Sequence, residues 1–287
     1  MIEILSFLKI SIFNPENIFL LSIAVLWCVI AVIQDFRKRE VANWWNFSLI
    51  VFALAFRAFI SVSKLDYRYF LWGIIGLIIG FLLAELFYYS RLFAQGDAKL
   101  LLALSVILPL SFDWKTNLWI FLIFLVLIII AGGLYGLVYS LILGILHFKD
   151  LKKEYLKYFK KFGLKGKIMI LMGGIFSLAC YILGYYDLIV FGIILFIYPF
   201  LFSLAKSIEE RALTKLVNLR DLTIGDWLAK PVKIGNKIIK PNWEGLDEKE
   251  LNLILKKSKN KKILVKYGIP FTPAFLLALI GLIIVLI

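Results

Sequence analysis

Histidine and cysteine are almost missing from this chain, whose 287 residues include one histidine, His147, and two cysteines, Cys28 and Cys180. The single histidine leaves little basis for Ser-His-Asp, Cys-His or HExxH chemistry, each of which needs histidine beside fixed partners. Both cysteines lie inside apolar runs, which excludes a disulfide framework and a CxxC-type zinc site.

Charge is scarce as well: 18% of the residues are charged and 62% are hydrophobic, with a mean hydropathy of +0.92. A soluble globule carries about 25% charged residues and is about half apolar. A water-soluble core cannot hide the excess, so the composition excludes a soluble enzyme and a disordered chain. The expected fold class is membrane all-α, a polytopic bundle of about eight transmembrane helices with a small cytosolic α+β module.

Eight apolar runs approach the length of about 20 residues that a membrane span needs. The candidate spans are 17–34, 45–63, 70–89, 94–111, 118–146, 168–184, 187–206 and 269–287. The polar stretch 206–268 between the last two predicts the module, with a hairpin at 231–240, a helix opening at Asp247 and Glu250, and a strand at 262–267. The expected domains are therefore 1–206 (seven helices), 207–268 (the module) and 269–287 (the final helix).

Basic residues predict the orientation. The net charge is +14, and most of the 33 Lys and Arg residues fall in the segments 35–43, 90–99, 147–167 and 206–268. Short loops rich in Lys and Arg stay cytoplasmic, so these segments are expected inside and both termini outside. The charge then indicates topology and attraction to anionic lipid, above all for the lysine-rich segment 147–167, and nucleic acid is not expected as a partner.

Acidic residues near the membrane are the first candidates for chemistry, because burying them there is costly. Asp35 ends the first predicted helix, Asp97 opens the fourth, and Glu85 lies late in the third. Asp35 and Asp97 are expected at similar depth on the cytoplasmic side. Two adjacent carboxyls cannot both ionise easily, so one can keep a proton while the other deprotonates water, as in aspartic proteases. Gly96 would let backbone approach Asp97 closely.

A structural reading of the same acids is also open. An aspartate at a helix end is commonly a cap, and the helix dipole alone favours Asp97 at a helix N-terminus. Glu85 can be a supporting polar group inside the bundle.

Three local strings carry a family resemblance. They are Asp35-Phe-Arg-Lys-Arg-Glu-Val-Ala-Asn43, Ala94-Gln-Gly-Asp-Ala-Lys-Leu100 and Gly268-Ile-Pro-Phe-Thr-Pro-Ala-Phe-Leu276. In this order they resemble the first-aspartate motif, the GxGD motif and the proline-rich entry to the last helix of the type IV prepilin peptidases, including the preflagellin peptidases. Ala94 departs from the first glycine of GxGD, and Ala42 stands where many members have proline. The zinc-binding cysteine loop of the bacterial enzymes is missing, which makes the chain look like the archaeal branch.

The resemblance implies a GxGD membrane aspartic endopeptidase with Asp35 and Asp97 as its catalytic residues. The supporting motif residues it implies are Gly96, Arg37, Asn43, Lys99, Pro270 and Pro273. Family members remove the short basic leader of prepilin or preflagellin precursors at the cytoplasmic membrane face, and need no metal or other cofactor. The rival interpretation is a polytopic transporter or proton-coupled carrier with Asp35, Glu85 and Asp97 as a relay.

Overall fold

The computed structural model describes residues 14–234, 237–257 and 262–287. Its helices are α1 (Pro15–Lys38), α2 (Asn43–Ser63), α3 (Arg68–Tyr89), α4 (Gln95–Ser105), α5 (Trp114–Leu146), α6 (Phe148–Ile182), α7 (Ile189–Arg211), α8 (Glu248–Lys257) and α9 (Thr272–Leu286). The strands are β1 (Thr214–Asn218), β2 (Trp227–Leu228), β3 (Val232–Ile234), β4 (Lys237–Ile239) and β5 (Lys262–Lys266).

Six of these helices, α1, α2, α3, α5, α6 and α7, are long and apolar enough to cross a membrane. The helical fold class with a small strand module is thus confirmed, and the chain is a multi-pass membrane protein. The helix α9 is apolar but has only 15 residues.

The predicted fourth span, 94–111, is wrong. Its helix α4 has 11 residues and ends at Ser105. At 1.5 Å per residue this is about 16 Å, roughly half of the hydrocarbon thickness. Residues 98–110 of this segment are nearly all buried against protein, so its apolar side chains serve the core of the bundle instead of facing lipid.

Packing divides the described residues into two compact units. The first runs up to Leu137 and includes Pro270–Ile287, and the second is Val138–Ile269. The predicted domain boundaries at 206 and 268 were drawn from polarity and remain a prediction.

Small residues hold α4 in the first unit. The buried face of α3 consists of Gly73, Gly76, Gly80 and Ala84, spaced by about one helical turn. A Cβ atom at Gly76 or Gly80 would collide with Ser105, so the bare backbone of α3 lets α4 approach closely.

The second unit contains the helices α6 and α7 and the strand module. Inside α6, Gly163 has φ 52° and ψ −132°, which kinks the helix between its lysine-rich first half and its apolar second half. In the module, β5 pairs antiparallel with β1 on one side and β2 on the other, while β3 and β4 form a separate hairpin.

Local predictions for the module are confirmed. The hairpin strands lie within 231–240, although the turn residues 235–236 fall outside the described part. The Asp247 side chain accepts from the Glu250 backbone N–H at 2.6 Å, and the Asp247 N–H donates back to the Glu250 carboxylate at 3.4 Å. This reciprocal pair is a capping box.

Candidate active site

The first aspartate lies in the last turns of α1. Pro15 starts this helix, and the Asn14 side chain caps it by accepting from the Asn17 N–H at 2.8 Å. At the other end, Arg39 adopts the left-handed conformation (φ 59°) and donates its N–H to the Asp35 carbonyl at 2.8 Å. The Asp35 side chain, 7% exposed, is therefore fixed one turn before the helix ends.

Asp35 contacts the start of α9. Its Oδ2 atom accepts from the Thr272 backbone N–H at 3.2 Å and from the Thr272 hydroxyl at 2.9 Å. Thr272 is also buried. Thr272 is not among the site residues predicted from the sequence, although it stands between the two prolines of the third string.

The second aspartate lies in the first turn of α4, which Ala94 precedes as the N-cap residue. Its carboxylate accepts from the Ala94 backbone N–H. An acidic residue three positions after the cap that bonds back to it forms half of a capping box. Asp97 therefore caps the start of α4, in agreement with the structural interpretation of this residue.

Asp97 also interacts with Asp35. It lies outside the six candidate spans, and burial together with the negative charge of Asp35 raises the pKa of Asp97 to about 7, against the opposing effect of the Ala94 hydrogen bond. The two carboxyl groups, 62 positions apart in sequence, are thus close enough for the charge of Asp35 to act on Asp97. A like charge nearby favours the protonated form of an acid.

Two motif-supporting residues contact each other. The Lys99 ammonium, one turn from the start of α4, donates to the Asn43 side-chain oxygen at 2.7 Å. Asn43 is the first residue of α2, and the Gln34 side chain accepts from the Ala42 N–H just before it at 3.0 Å. These bonds connect the segment after Asp35 to the helix that carries Asp97.

The remaining predicted site residues occupy different surroundings. Arg37 is exposed in the last turn of α1. A Cβ atom at Gly96 would meet no atom within 4 Å, so packing among the described residues does not demand glycine there. Pro270 and Pro273 are buried beside the α9 N-terminus, where Pro273 is in the first turn. Glu85 is half-buried in α3.

A cavity of about 350 Å³ lies elsewhere in the first unit, lined by Asn14, Asn17, Arg57 and neighbouring side chains. Asn17 and Asp35 are 18 residues apart on α1, which is about 27 Å along a helix. This cavity is therefore separate from the aspartates. Among the described residues, no group of three or more His, Cys, Asp or Glu side chains is placed to hold a metal ion.

Comparison with known proteins concerns this same part of the chain. Residues 22–137, which contain both aspartates, match the family model described as the type IV leader peptidase family. The family resemblance is confirmed. The match ends before the proline-rich string at 270–273.

Two curated relatives are preflagellin peptidases of methanogens. The protein of Methanococcus maripaludis is 34% identical to this chain over 87 residues, and that of Methanocaldococcus jannaschii is 28% identical over 87 residues. Each alignment covers 30% of this chain and 37% of the relative's length. No solved structure is significantly similar to the chain.

Proposed function

We propose that this chain is a membrane aspartic endopeptidase. Its substrates are type IV prepilin-like or preflagellin precursors, from which it removes the short basic leader at the cytoplasmic membrane face. The observation that carries the proposal is the electrostatic coupling of Asp35 to Asp97 within the segment that matches the leader peptidase family. The names of the two curated relatives support the same substrate class.

The chemistry follows from the unequal surroundings of the two acids. The raised pKa of Asp97 favours its protonated form, so Asp97 is the general acid. Asp35, whose Oδ2 already accepts two hydrogen bonds, has Oδ1 left to orient water and take its proton. The water oxygen then adds to the scissile carbonyl carbon while Asp97 protonates the carbonyl oxygen. Collapse of the tetrahedral intermediate breaks the C–N bond. The proton on Asp35 passes to the departing amine, and a hydroxyl proton of the intermediate returns to Asp97 as the product carbonyl forms.

The position of the acids suits a leader peptide. Asp35 is near the end of α1, and Asp97 is near the start of α4. A site at helix ends can reach a bond that lies immediately outside the apolar helix of a substrate. Since basic loops stay cytoplasmic, the basic residues of 37–39 favour the cytoplasmic side for this end of α1. The lysines of 147–167 favour contact with anionic lipid.

The direct test is cleavage of a synthetic precursor, with a basic leader joined to an apolar helix, by the purified protein in lipid vesicles. We expect Asp35→Asn and Asp97→Asn each to abolish cleavage while the protein still inserts. Asp66→Asn is the matched control, because Asp66 is an acid of the same unit that pairs with the exposed Arg68. EDTA should leave cleavage unchanged. Full cleavage by either catalytic variant would refute the two-aspartate mechanism, and loss with EDTA would indicate a metal.

Orientation is tested separately with single cysteines in a variant lacking Cys28 and Cys180. A membrane-impermeant thiol reagent should label a cysteine at Glu40 only from the cytoplasmic side and one at Lys115 only from outside. The reverse pattern would contradict the cytoplasmic placement of the site.

A further inference from the structure

We propose that Thr272 is a positioning residue that fixes the catalytic carboxylate of Asp35, so that α9 forms part of the active site. This inference rests on the proposed function of Asp35. It goes further in giving a role to a residue that lies outside the segment matching the family model.

The two hydrogen bonds from Thr272 act on a single oxygen atom. The backbone N–H and the hydroxyl both donate to Oδ2 of Asp35, at 3.2 and 2.9 Å. Two donors on one oxygen fix both the rotamer of the carboxylate and the plane of its oxygens. Because Thr272 is 1% exposed and Asp35 7% exposed, water does not compete freely for these bonds. The Oδ1 atom is then held in one direction for the reacting water.

Asp35 in turn serves as the cap of α9. The first backbone N–H groups of a helix have no partner within the helix and attract negative charge. Phe271 stands at the N-cap position of α9 and makes no side-chain capping bond. The carboxylate of Asp35, from a helix 237 positions earlier, supplies an acceptor to the Thr272 N–H. The same contact therefore holds the Asp35 carboxylate and caps the start of α9.

Aromatic packing holds Thr272 in place. The ring of Phe271 lies 5.5 Å from that of Phe93, which also lies 5.5 Å from Phe275. Phe93 belongs to the turn just before Asp97. On the other side, a Cβ atom at Gly132 would lie 2.6 Å from the Phe271 ring, so glycine makes room for that ring. The start of α9 is thereby packed against the segment that leads to the second aspartate.

The test compares Thr272→Val with Thr272→Ser in the precursor cleavage assay. Valine keeps the shape and the backbone N–H but removes the hydroxyl, which donates to a charged group, so we expect kcat to fall about 10- to 100-fold. KM should stay within about twofold, because the change affects the reacting atoms and not precursor binding. Serine restores the hydroxyl, and its kcat should stay within about threefold of wild type.

Thr116→Val is the matched control. Thr116 is also buried at the start of a helix, and its hydroxyl and N–H both donate to Asp113 at 2.8 Å. The same chemical change there should lower the thermal midpoint without lowering kcat. Both valine variants are therefore measured for unfolding as well as for cleavage.

The outcomes separate the two proposals. If the wild-type protein does not cleave any precursor, the proposed function fails and takes this inference with it. If wild type and Thr116→Val cleave but Thr272→Val keeps the wild-type kcat, only the positioning role of Thr272 is refuted. The positioning role is refuted as well if kcat falls as much in Thr272→Ser as in Thr272→Val, since the hydroxyl would then not matter. If Thr272→Val fails to fold, the serine variant decides: a fall in its kcat of more than about threefold refutes the positioning role.

Discussion

Arg57 is a buried cation whose hydrogen bonds join separate elements of the first unit. It lies in α2, is 4% exposed, and donates to four backbone carbonyl groups. Its acceptors are Val106 at 3.0 Å, Ile107 at 3.1 Å and Pro109 at 2.6 Å, together with Tyr69 at 3.2 Å. Backbone carbonyls at the end of a helix have no partner within it. Arg57 donates hydrogen bonds to the carbonyls that follow α4, and so connects this segment to α2 and α3.

Arg57→Met should lower the free energy of unfolding by about 3–5 kcal/mol. Methionine retains most of the apolar stem but has no donor, and removing one partner from a buried charged contact costs this much because the other groups remain buried and unpaired. Four charge-assisted hydrogen bonds at about 1.5–3 kcal/mol each would sum to more than this. The expected loss is smaller because removing the guanidinium also removes the cost of burying its charge. Arg57→Lys should be intermediate, since an ammonium cannot match the planar fork of guanidinium.

The measurement is reversible unfolding by SDS in mixed micelles, followed by tryptophan fluorescence. Arg68→Met is the matched control, because Arg68 pairs with Asp66 at 2.7 Å at the exposed start of α3. Exposed ion pairs contribute little to stability, so this variant should unfold close to wild type. Equal unfolding midpoints for Arg57→Met and Arg68→Met would refute the argument that Arg57 holds α4 in place.

Three further predictions concern protonation and packing. The raised pKa of Asp97 means that its proton is present below about pH 7 and lost above it. The cleavage rate should therefore fall about tenfold per pH unit in alkaline buffer, and a flat profile up to pH 9 would contradict the role of Asp97 as the acid. Asn46→Leu should stabilise the protein by about 1–3 kcal/mol in the SDS assay, because this 1%-exposed amide has no hydrogen-bond partner among the described residues; a lower midpoint would contradict this. Gly80→Ala should destabilise the protein by about 1–3 kcal/mol, because the added Cβ atom collides with Ser105. Gly133→Ala should unfold like wild type, since no atom lies within 4 Å of its Cβ position. Equal effects of the two changes would show that α3 and α4 can separate freely.

Hydropathy was sufficient for the long helices and failed for α4. A run of apolar residues is equally compatible with lipid and with a protein interior, and only the surrounding helices decide between them. The signs of an interior helix were local but easily missed: a glycine at each turn of α3, and an arginine inside the predicted second span. Their meaning depends on Arg57 reaching carbonyls about 50 positions away, which no sequence period reveals.

In the module and the site as well, contacts between neighbouring residues could be predicted, and contacts between residues far apart in sequence could not. The capping pair of Asp247 and Glu250 could be predicted because both residues belong to one helical turn. The two aspartates stood out because acids are rare near membrane spans and because their neighbouring residues match family motifs. The Thr272–Asp35 contact could not be predicted from spacing, since it joins positions 237 apart. Its only sequence signal was the proline-rich string, which indicated a helix start but not its partner.

The chain returns to the first unit after residue 269, so the helix α9 belongs to the same unit as both aspartates. Both aspartates lie in the family segment 22–137, but the donors that orient Asp35 come from residue 272, after the whole second unit. The contacts at Asp35 therefore depend on where α9 starts. Two sets of contacts hold that start, because Thr272 donates to Asp35 while Phe271 packs beside Phe93. On the proposed function, the start of α9 is therefore a part of the site together with the two aspartate motifs, although it is distant from both in sequence.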